Sequence, residues 1–192
     1  MDGTVQHLKF WFEIQEELSS YGIMAASFHA TYTLTPHASY PTQFNEAIEA
    51  LRYVLEDLGR KPGEVLLVGD SAGGNLCLAV LSNLSHPSRH VASPWMRHSL
   101  KGMILMSPWL SFDSKWPSMM YNLEKDIDSL EVLQDWSQKY LNGKPSDNYT
   151  EAILASSEWW VNAKVGHTLV VAGGDEVLID PIALWASYFK VC

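Results

Sequence analysis

The chain has 192 residues, enough for one domain with a sizeable core, and its 47% hydrophobic and 18% charged residues are typical of a globular protein. Its net charge of −9 argues against nucleic acid or an anionic membrane surface as a partner. The two cysteines, Cys77 and Cys192, lie far apart and indicate neither a disulfide framework nor a zinc site, so no metal is expected.

Helical and extended patterns alternate along the first third of the chain. Apolar residues at helical spacing predict a helix over residues 6–18, and the apolar run 22–28 predicts a buried strand. Residues 31–41 contain two prolines and several hydroxyl side chains, which predict a loop. A second amphipathic helix is predicted over residues 44–58 and ends before Pro62.

The next stretch, E-V-L-L-V-G-D-S-A-G-G-N-L over residues 64–76, carries the clearest chemical signal. A strand predicted over 64–69 leads into G-x-S-x-G and then into a helix predicted over 72–85. A serine on so sharp a turn needs glycine neighbours, because an added Cβ would make strand and helix collide. A Gly-rich turn with a helix-capping serine is the alternative. The strand before and the helix after it favour a nucleophile elbow made of Gly69, Asp70, Ser71, Gly73 and Gly74.

The rest of the chain contains two further strands and a long excursion between them. Strands are predicted over 102–106 and 168–172, and helices over 130–141 and 181–189. Residues 109–166 contain no predicted strand, and so long a connection is uncommon in a compact domain unless it has a function. Strands separated by helices predict a single α/β domain across the whole chain, with a parallel sheet of about four strands and helices on both faces.

Three segments resemble one known family. G-D-S-A-G-G-N-L resembles the nucleophile motif of the hormone-sensitive-lipase-like branch of the α/β-hydrolases. Y-T-L-T-P at Tyr32–Pro36, followed by Tyr40-Pro41, is similar to the family's Y-R-L-A-P…F-P segment, and G-D-E followed by Leu178 and Asp180 looks like the segment of the triad acid. The resemblance implies an α/β-hydrolase fold that is incomplete at both ends of this chain, with residues 109–166 as a cap.

The resemblance also assigns roles to individual residues. It makes Ser71 the nucleophile, the Ala72 N–H one oxyanion donor, and Asp175 the acid that orients a histidine. Taken alone, Asp175 would be interpreted as a turn residue that caps the next helix. The family's histidine comes one strand after the acid, yet no histidine follows Asp175 here. His29 and His37, which follow the strand predicted over 22–28, are the candidates for a substitute base.

A second family feature is also missing from the sequence. Relatives carry a His-Gly-Gly-Gly loop that supplies further oxyanion donors, and no such loop occurs here. The strand before that loop lies, in the family, between the strands that correspond to 22–28 and 64–69. A sheet of the four predicted strands must therefore leave a gap at this point or pair those two strands directly.

The function that the resemblance implies is hydrolysis of carboxylic esters through an acyl-enzyme on Ser71, without a cofactor. The expected partner is a small apolar ester or metabolite, with deacetylation or acyl transfer among the candidate reactions. Aromatic and methionine side chains of the excursion would line its pocket, although packing against the sheet is the alternative for each one. These residues are Trp109, Trp116, Met119, Met120, Tyr121, Trp136, Trp159 and Trp160.

Two other hypotheses stay open. One is a catalytically dead binding protein on the same fold, like the plant gibberellin receptor, a relative that lost its histidine and kept the pocket. The other is a fragment of a longer enzyme. Segments near Leu8 and Pro41 are similar to fungal members, some of which act in secondary metabolism. Neither a signal peptide nor a membrane-spanning run is found in the sequence, which predicts a cytoplasmic protein.

Overall fold

The computed structural model describes residues 5–89 and 91–189. Its centre is a sheet of three parallel strands in the order β1-β2-β3. β1 spans Leu66–Asp70, β2 spans Gly102–Met106 and β3 spans Thr168–Val171. These are the short apolar runs that predicted strands, since Val, Ile and Leu suit a pleated, buried surface. Three of the four predicted strands are therefore confirmed.

The helices follow the predicted pattern closely. α3 (Ala72–Ser85) and α5 (Leu130–Leu141) have the predicted bounds, and the other three predicted helices begin and end within a few residues of the predicted positions. α2 (Thr42–Arg52) continues as one π-helical turn, Tyr53–Asp57. The helices of the described residues are α1 (Val5–Ser20), α2 (Thr42–Arg52), α3 (Ala72–Ser85), α4 (Ser118–Tyr121), α5 (Leu130–Leu141), α6 (Ser157–Trp160) and α7 (Ile179–Phe189).

α3 is the helix around which the two cores form. Residues 74–83 of this helix are all buried, so it is covered on every side, as a central helix must be. On one side Leu78 and Leu81 pack in the main core with the sheet, the excursion and α7. On the other side Ala79 and Val80 pack in a second core with α2.

The opposite face of the sheet is much more open. Alternation along the strands places Leu66 and Val68 of β1 on this face, and the register places Val68 in one row with Ile104 and Leu169. The exposed fractions are 49% for Leu66, 36% for Val68, 54% for Leu169 and 51% for Val171. α1 reaches this side at His7, whose Nε2 lies 3.4 Å from Oδ2 of Asp70.

The prediction of a fourth strand over residues 22–28 is wrong. These residues form neither helix nor strand, and Ile23, Met24 and Phe28 are more than half exposed. An apolar run becomes a strand only where a neighbour completes its backbone hydrogen bonds, and no described strand lies beside it. The segment contacts helices instead, because Ser27 accepts a hydrogen bond from Gln15 and the Phe28 ring lies 5.7 Å from that of Tyr53. Direct pairing with β1 does not occur.

The described helices are all too short or too polar to cross a lipid bilayer. The predicted cytoplasmic location stays a prediction.

Candidate active site

Ser71 lies between the end of β1 and the start of α3. Its φ of 53° is in the left-handed region, which is strained for a residue with a Cβ. Neighbouring chain segments hold this backbone on both sides: the Ser71 N–H donates to the Met106 carbonyl at 2.9 Å, and the Ser71 carbonyl accepts from the Trp109 N–H at 3.1 Å. The turn is thus fixed to the end of β2 and to the start of the excursion.

Two of the elbow glycines are required by close contacts. A Cβ on Gly69 would lie 2.3 Å from the Gly73 carbonyl oxygen, and a Cβ on Gly74 would lie 2.8 Å from Cβ of Pro108. A Cβ on Gly73 would meet nothing within 4 Å. The first two glycines let β1, α3 and the Ser107-Pro108 turn approach one another, as the sequence predicted for a sharp turn.

The N-terminus of α3 faces this turn. Ala72 is the first helical residue, and N–H groups in the first turn of a helix have no partner within the helix. The Ser71 side chain makes no capping bond to them, so the helix-capping alternative is not what the structure contains. One turn further on, the buried Asn75 amide donates to the carbonyls of Trp109 at 2.8 Å and Thr150 at 2.7 Å, which ties the helix to the excursion.

Burial also affects the side chains next to the elbow. It raises the pKa of the Cys77 thiol to about 12. The pKa of Tyr32 is raised as well, first by burial and then by the nearby Cys77 and Asp70. The segment that resembles the family's Y-R-L-A-P motif therefore lies beside the elbow.

Ser107 repeats the elbow geometry at the end of the neighbouring strand. Its φ is 41°, and its N–H donates to the Val171 carbonyl at 2.7 Å, just as Ser71 donates to Met106. The Ser107 hydroxyl donates to Oε1 of Glu176 at 2.7 Å. This second turn therefore holds a carboxylate at the carboxyl edge of the sheet.

Asp175 and Glu176 follow β3, and their side chains differ in environment. Asp175 has a side chain that is 75% exposed, and it forms an ion pair with Lys125 at 2.7 Å. Glu176 is half-buried, and its Oε1 also accepts from the Gly173 N–H at 2.6 Å. Sequence reasoning missed Glu176 because two adjacent carboxylates in one turn give the same signal. The contacts of Glu176 with Gly173 of the same turn and with Ser107, which is distant in sequence, distinguish the two carboxylates.

A raised pKa links the elbow to this acidic turn. The pKa of Asp128 is raised first by burial and then by the carboxylates of Asp126, Asp70 and Glu176. Asp128, in the excursion, is therefore influenced by the charge of Asp70 in the elbow and by that of Glu176 in the turn after β3. The described residues contain no group of three or more His, Cys, Asp or Glu side chains suited to a metal ion.

The histidines are distributed around the sheet. His7 of α1 lies beside the elbow, with its Nε2 3.4 Å from Oδ2 of Asp70. His29 contacts the Ser27 hydroxyl at 3.1 Å in the exposed segment, and His37 lies in an exposed turn. His167 directly precedes β3, at the edge of the sheet opposite the elbow, and its carbonyl accepts from the Met103 N–H. A base role for His29 or His37 stays a prediction.

The first part of the excursion closes over the turn after β3. The Asn122 amide donates to the Glu176 carbonyl at 2.9 Å, and the Val177 N–H donates to Asp126 at 2.7 Å. The aromatic and methionine residues predicted to line a pocket divide into three groups. Trp109, Met119 and Trp160 are buried in the main core, Met120 and Tyr121 are exposed, and the remaining three are partly buried against that core, namely Trp116, Trp136 and Trp159. Packing explains the first group, and the predicted pocket above Ser71 stays a prediction, as do the domain bounds of the cap.

Comparison with known proteins agrees with this geometry. A sequence model of the family described as "alpha/beta hydrolase fold" matches residues 21–188. An esterase of Acinetobacter venetianus is 32% identical over 158 residues, which are 79% of this chain and 46% of that protein. Carboxylesterase NlhH of Mycobacterium tuberculosis is 30% identical over 132 residues, 67% of this chain and 39% of that protein.

The fold comparison gives the same result. The crystal structure of an esterase from the bacterial hormone-sensitive lipase family matches with a TM-score of 0.68 and 26% identity, over 83% of this chain and 50% of that one. The chain belongs to the α/β-hydrolase fold family, in its hormone-sensitive-lipase-like branch. It spans about half the length of the relatives it matches.

Proposed function

We propose that this chain carries the nucleophile of a carboxylic-ester hydrolase and that Ser71 is this nucleophile. The observation that supports the proposal best is the elbow, where a serine with positive φ is held between β1 and α3 and does not cap the helix. Relatives named esterase and carboxylesterase support the reaction class. A small apolar ester or metabolite is the proposed substrate, with deacetylation or acyl transfer as candidate reactions.

The chemistry would proceed in two steps. Ser71 Oγ would lose its proton to a base and attack the ester carbonyl, and the Ala72 N–H would donate to the resulting oxyanion. Collapse of this intermediate would break the bond to the alcohol, which leaves with the proton held by the base. Water, or a second alcohol, would then attack the acyl-enzyme and release the acid or a new ester.

Either Asp175 or Glu176 would orient the base, and the contacts favour Glu176. Its carboxylate is fixed by Ser107 and Gly173 at the strand ends, whereas Asp175 is engaged by Lys125 near solvent. A carboxylate that positions a base must be held in one geometry. Glu176, which accepts two hydrogen bonds, meets this requirement better than Asp175, which forms an exposed ion pair. Asp175, the residue that the resemblance indicated, is the competing candidate.

The chain alone is expected to lack Ser71-dependent turnover. No histidine follows the acid in the sequence, and loss of a triad histidine costs on the order of 10⁶ in kcat in a well-studied protease. Loss of an oxyanion donor costs about 10²–10³. Hydrolysis of p-nitrophenyl acetate by the 192-residue chain should therefore equal that of a Ser71→Ala control. Robust Ser71-dependent turnover would refute this expectation and would assign the base to a histidine of this chain.

Free imidazole provides the test of the nucleophile, because it can act as the base without being part of the chain. We expect imidazole to produce an increment in ester hydrolysis that the Ser71→Ala variant lacks, after subtraction of the reaction of imidazole with the ester itself. Glu176→Gln should reduce this increment at least about tenfold, although less than the about 10⁴ lost when the acid of an intact triad is replaced. Asp175→Asn is the matched control and should retain it.

The outcomes separate the hypotheses. No Ser71-dependent increment, together with thermal stabilisation of the chain by apolar esters, would favour the non-catalytic binding protein. An increment that Asp175→Asn abolishes and Glu176→Gln retains would return the orienting role to Asp175.

A further inference from the structure

We propose that Asn122 is a positioning residue, which holds the turn after β3 so that the Glu176 carboxylate keeps its place at the edge of the sheet. The inference rests on the proposed role of this carboxylate in orienting the base. It gives the first part of the excursion, predicted as a cap over the substrate, a different task. Residues 118–126, which we call the clamp segment, hold the acid.

Asn122 is a polar side chain that is almost fully buried, with 6% of its surface exposed. Its amide nitrogen donates to the Glu176 carbonyl at 2.9 Å and makes a longer contact of 3.5 Å with the Gly174 carbonyl. Its amide oxygen accepts from the Lys125 ammonium at 3.3 Å. Because an ammonium group can only donate, this contact fixes which end of the amide faces the turn. The amide donors are therefore aimed at the backbone on either side of Asp175.

The clamp segment also holds the residue that follows Glu176. The Val177 N–H donates to Oδ2 of Asp126 at 2.7 Å, and the Val177 carbonyl accepts from the Ser118 hydroxyl at 2.6 Å. Val177 is fully buried, and buried backbone groups must be paired. Both of its backbone groups find their partners on side chains of the clamp segment. The turn therefore keeps its shape only while that segment is in place.

The Glu176 side chain is held at both ends. At its tip, the carboxylate accepts from the Ser107 hydroxyl at 2.7 Å and from the Gly173 N–H at 2.6 Å. At its base, Asn122 holds the carbonyl of the same residue. Since hydrogen bonds weaken steeply as their geometry changes, a shift of the turn by about 1 Å would break the contacts at the tip. Asn122 does not bond to the carboxylate itself and acts on it through the backbone.

The test follows the Gly173 amide by NMR in the 192-residue chain. This N–H is bonded to the Glu176 carboxylate, so its chemical shift and its exchange with solvent report whether the carboxylate is in place. Asn122→Ala should move the Gly173 signal towards that of an unbonded amide and speed its exchange about tenfold or more. Asn122→Asp keeps the shape of the side chain but has no donor at neutral pH, and it should have the same effect.

Gln43→Ala is the matched control. Gln43, in α2, is also a buried amide that donates to a backbone carbonyl, that of Ala38. Its loss should leave the Gly173 amide unchanged. A purely structural role of Asn122 predicts instead that both variants speed Gly173 exchange in proportion to the stability that each one loses, which urea denaturation measures.

A second readout uses the Ser71-dependent increment that free imidazole produces. Asn122→Ala should reduce this increment to the level of Glu176→Gln without changing the ester concentration that gives half the maximal rate. In a Glu176→Gln chain, the further change Asn122→Ala should cost nothing, because the group that it positions is already absent. Absence of the increment from the unmodified chain would contradict the proposed nucleophile. The Gly173 measurements need no catalysis and would still decide the role of Asn122.

Hydrogen exchange of the unmodified chain covers the case in which a variant does not fold. The Val177 and Gly173 amides should be protected to within about threefold of each other, because the clamp segment and the turn open together. Protection that differs by more than about tenfold would overturn the proposal. So would a Gly173 amide that Asn122→Ala leaves unchanged, one that Gln43→Ala alters as much, or an additive loss in the Glu176→Gln chain.

Discussion

The two faces of the sheet differ in how much of their apolar surface is covered. On the α3 face, Met103 and Leu105 of β2 are fully buried under a helix that is itself buried on all sides. On the other face, Leu169 and Val171 of β3 carry comparable apolar side chains that are about half exposed. All three strands are regular although only one face of the sheet is covered, so strand formation does not require that both faces be covered. The contribution of each face to stability should nevertheless differ greatly.

The largest expected effect compares one leucine on each face. Leu105→Ala should lower the free energy of unfolding by about 2–5 kcal/mol, because it leaves a cavity beneath α3. Leu169→Ala removes the same atoms from an exposed site and should change it by about 0.5 kcal/mol. Urea denaturation of both variants measures the difference. Equal losses would mean that the open face is covered in solution.

The next effect concerns the elbow, where the chain turns from β1 into α3 on the covered face of the sheet. Gly69→Ala would place a Cβ 2.3 Å from the Gly73 carbonyl, and relief of such a clash typically costs about 1–3 kcal/mol. Gly73→Ala adds the same methyl group where nothing lies within 4 Å, so it should be neutral or slightly stabilising. Thermal unfolding of the pair compares them directly. A Gly69→Ala chain as stable as the unmodified one would contradict the strand–helix contact at the elbow.

The smallest effect concerns Asp128, a half-buried residue of the excursion. The folded chain raises the pKa of Asp128, so the folded state binds its proton more tightly than the unfolded state does. The resulting penalty is absent below the ordinary Asp pKa and develops as pH rises through the raised value. Asp128→Asn should therefore raise the melting temperature at pH 7 but not at pH 3. The corresponding gain in the free energy of unfolding should be below about 1 kcal/mol, because the residue is only half-buried.

The control for this prediction is Glu124→Gln, which removes an exposed carboxylate from the same segment. Because this site is exposed, the substitution should change the melting temperature little at pH 3 or pH 7. A stabilisation by Asp128→Asn that is the same at both pH values would indicate a change in packing rather than removal of a buried charge.

The sequence predicted the α3 face better than the open face, for a physical reason. Apolar runs predicted β1, β2, β3 and α3 correctly because each of them finds a partner within this chain. The run over 22–28 has the same composition, yet it forms no strand, because composition does not reveal whether a neighbour exists to accept its hydrogen bonds. Single-chain patterns report what a segment can form, and the fold decides whether it does.

The candidate site was predictable to the same extent. Ser71 and its glycines follow from local sterics, which the letters G-D-S-A-G-G encode directly. The distinction between Asp175 and Glu176 depends on where Ser107 and Lys125 lie, and these residues are distant in sequence. The position of His7 beside Asp70 likewise depends on how α1 lies against the sheet. No local pattern contains that information.

Chemical labelling of Cys77, a buried residue of α3, can report when this helix separates from the sheet. With a pKa of about 12, this buried thiol is almost entirely protonated at neutral pH, and alkylating reagents attack only the accessible thiolate. In a Cys192→Ser chain, which keeps one thiol, each modification would therefore record an occasion on which α3 had separated from the sheet. The rate of labelling would therefore report how often α3 separates from the sheet, and hence how stable the turn is that holds Ser71.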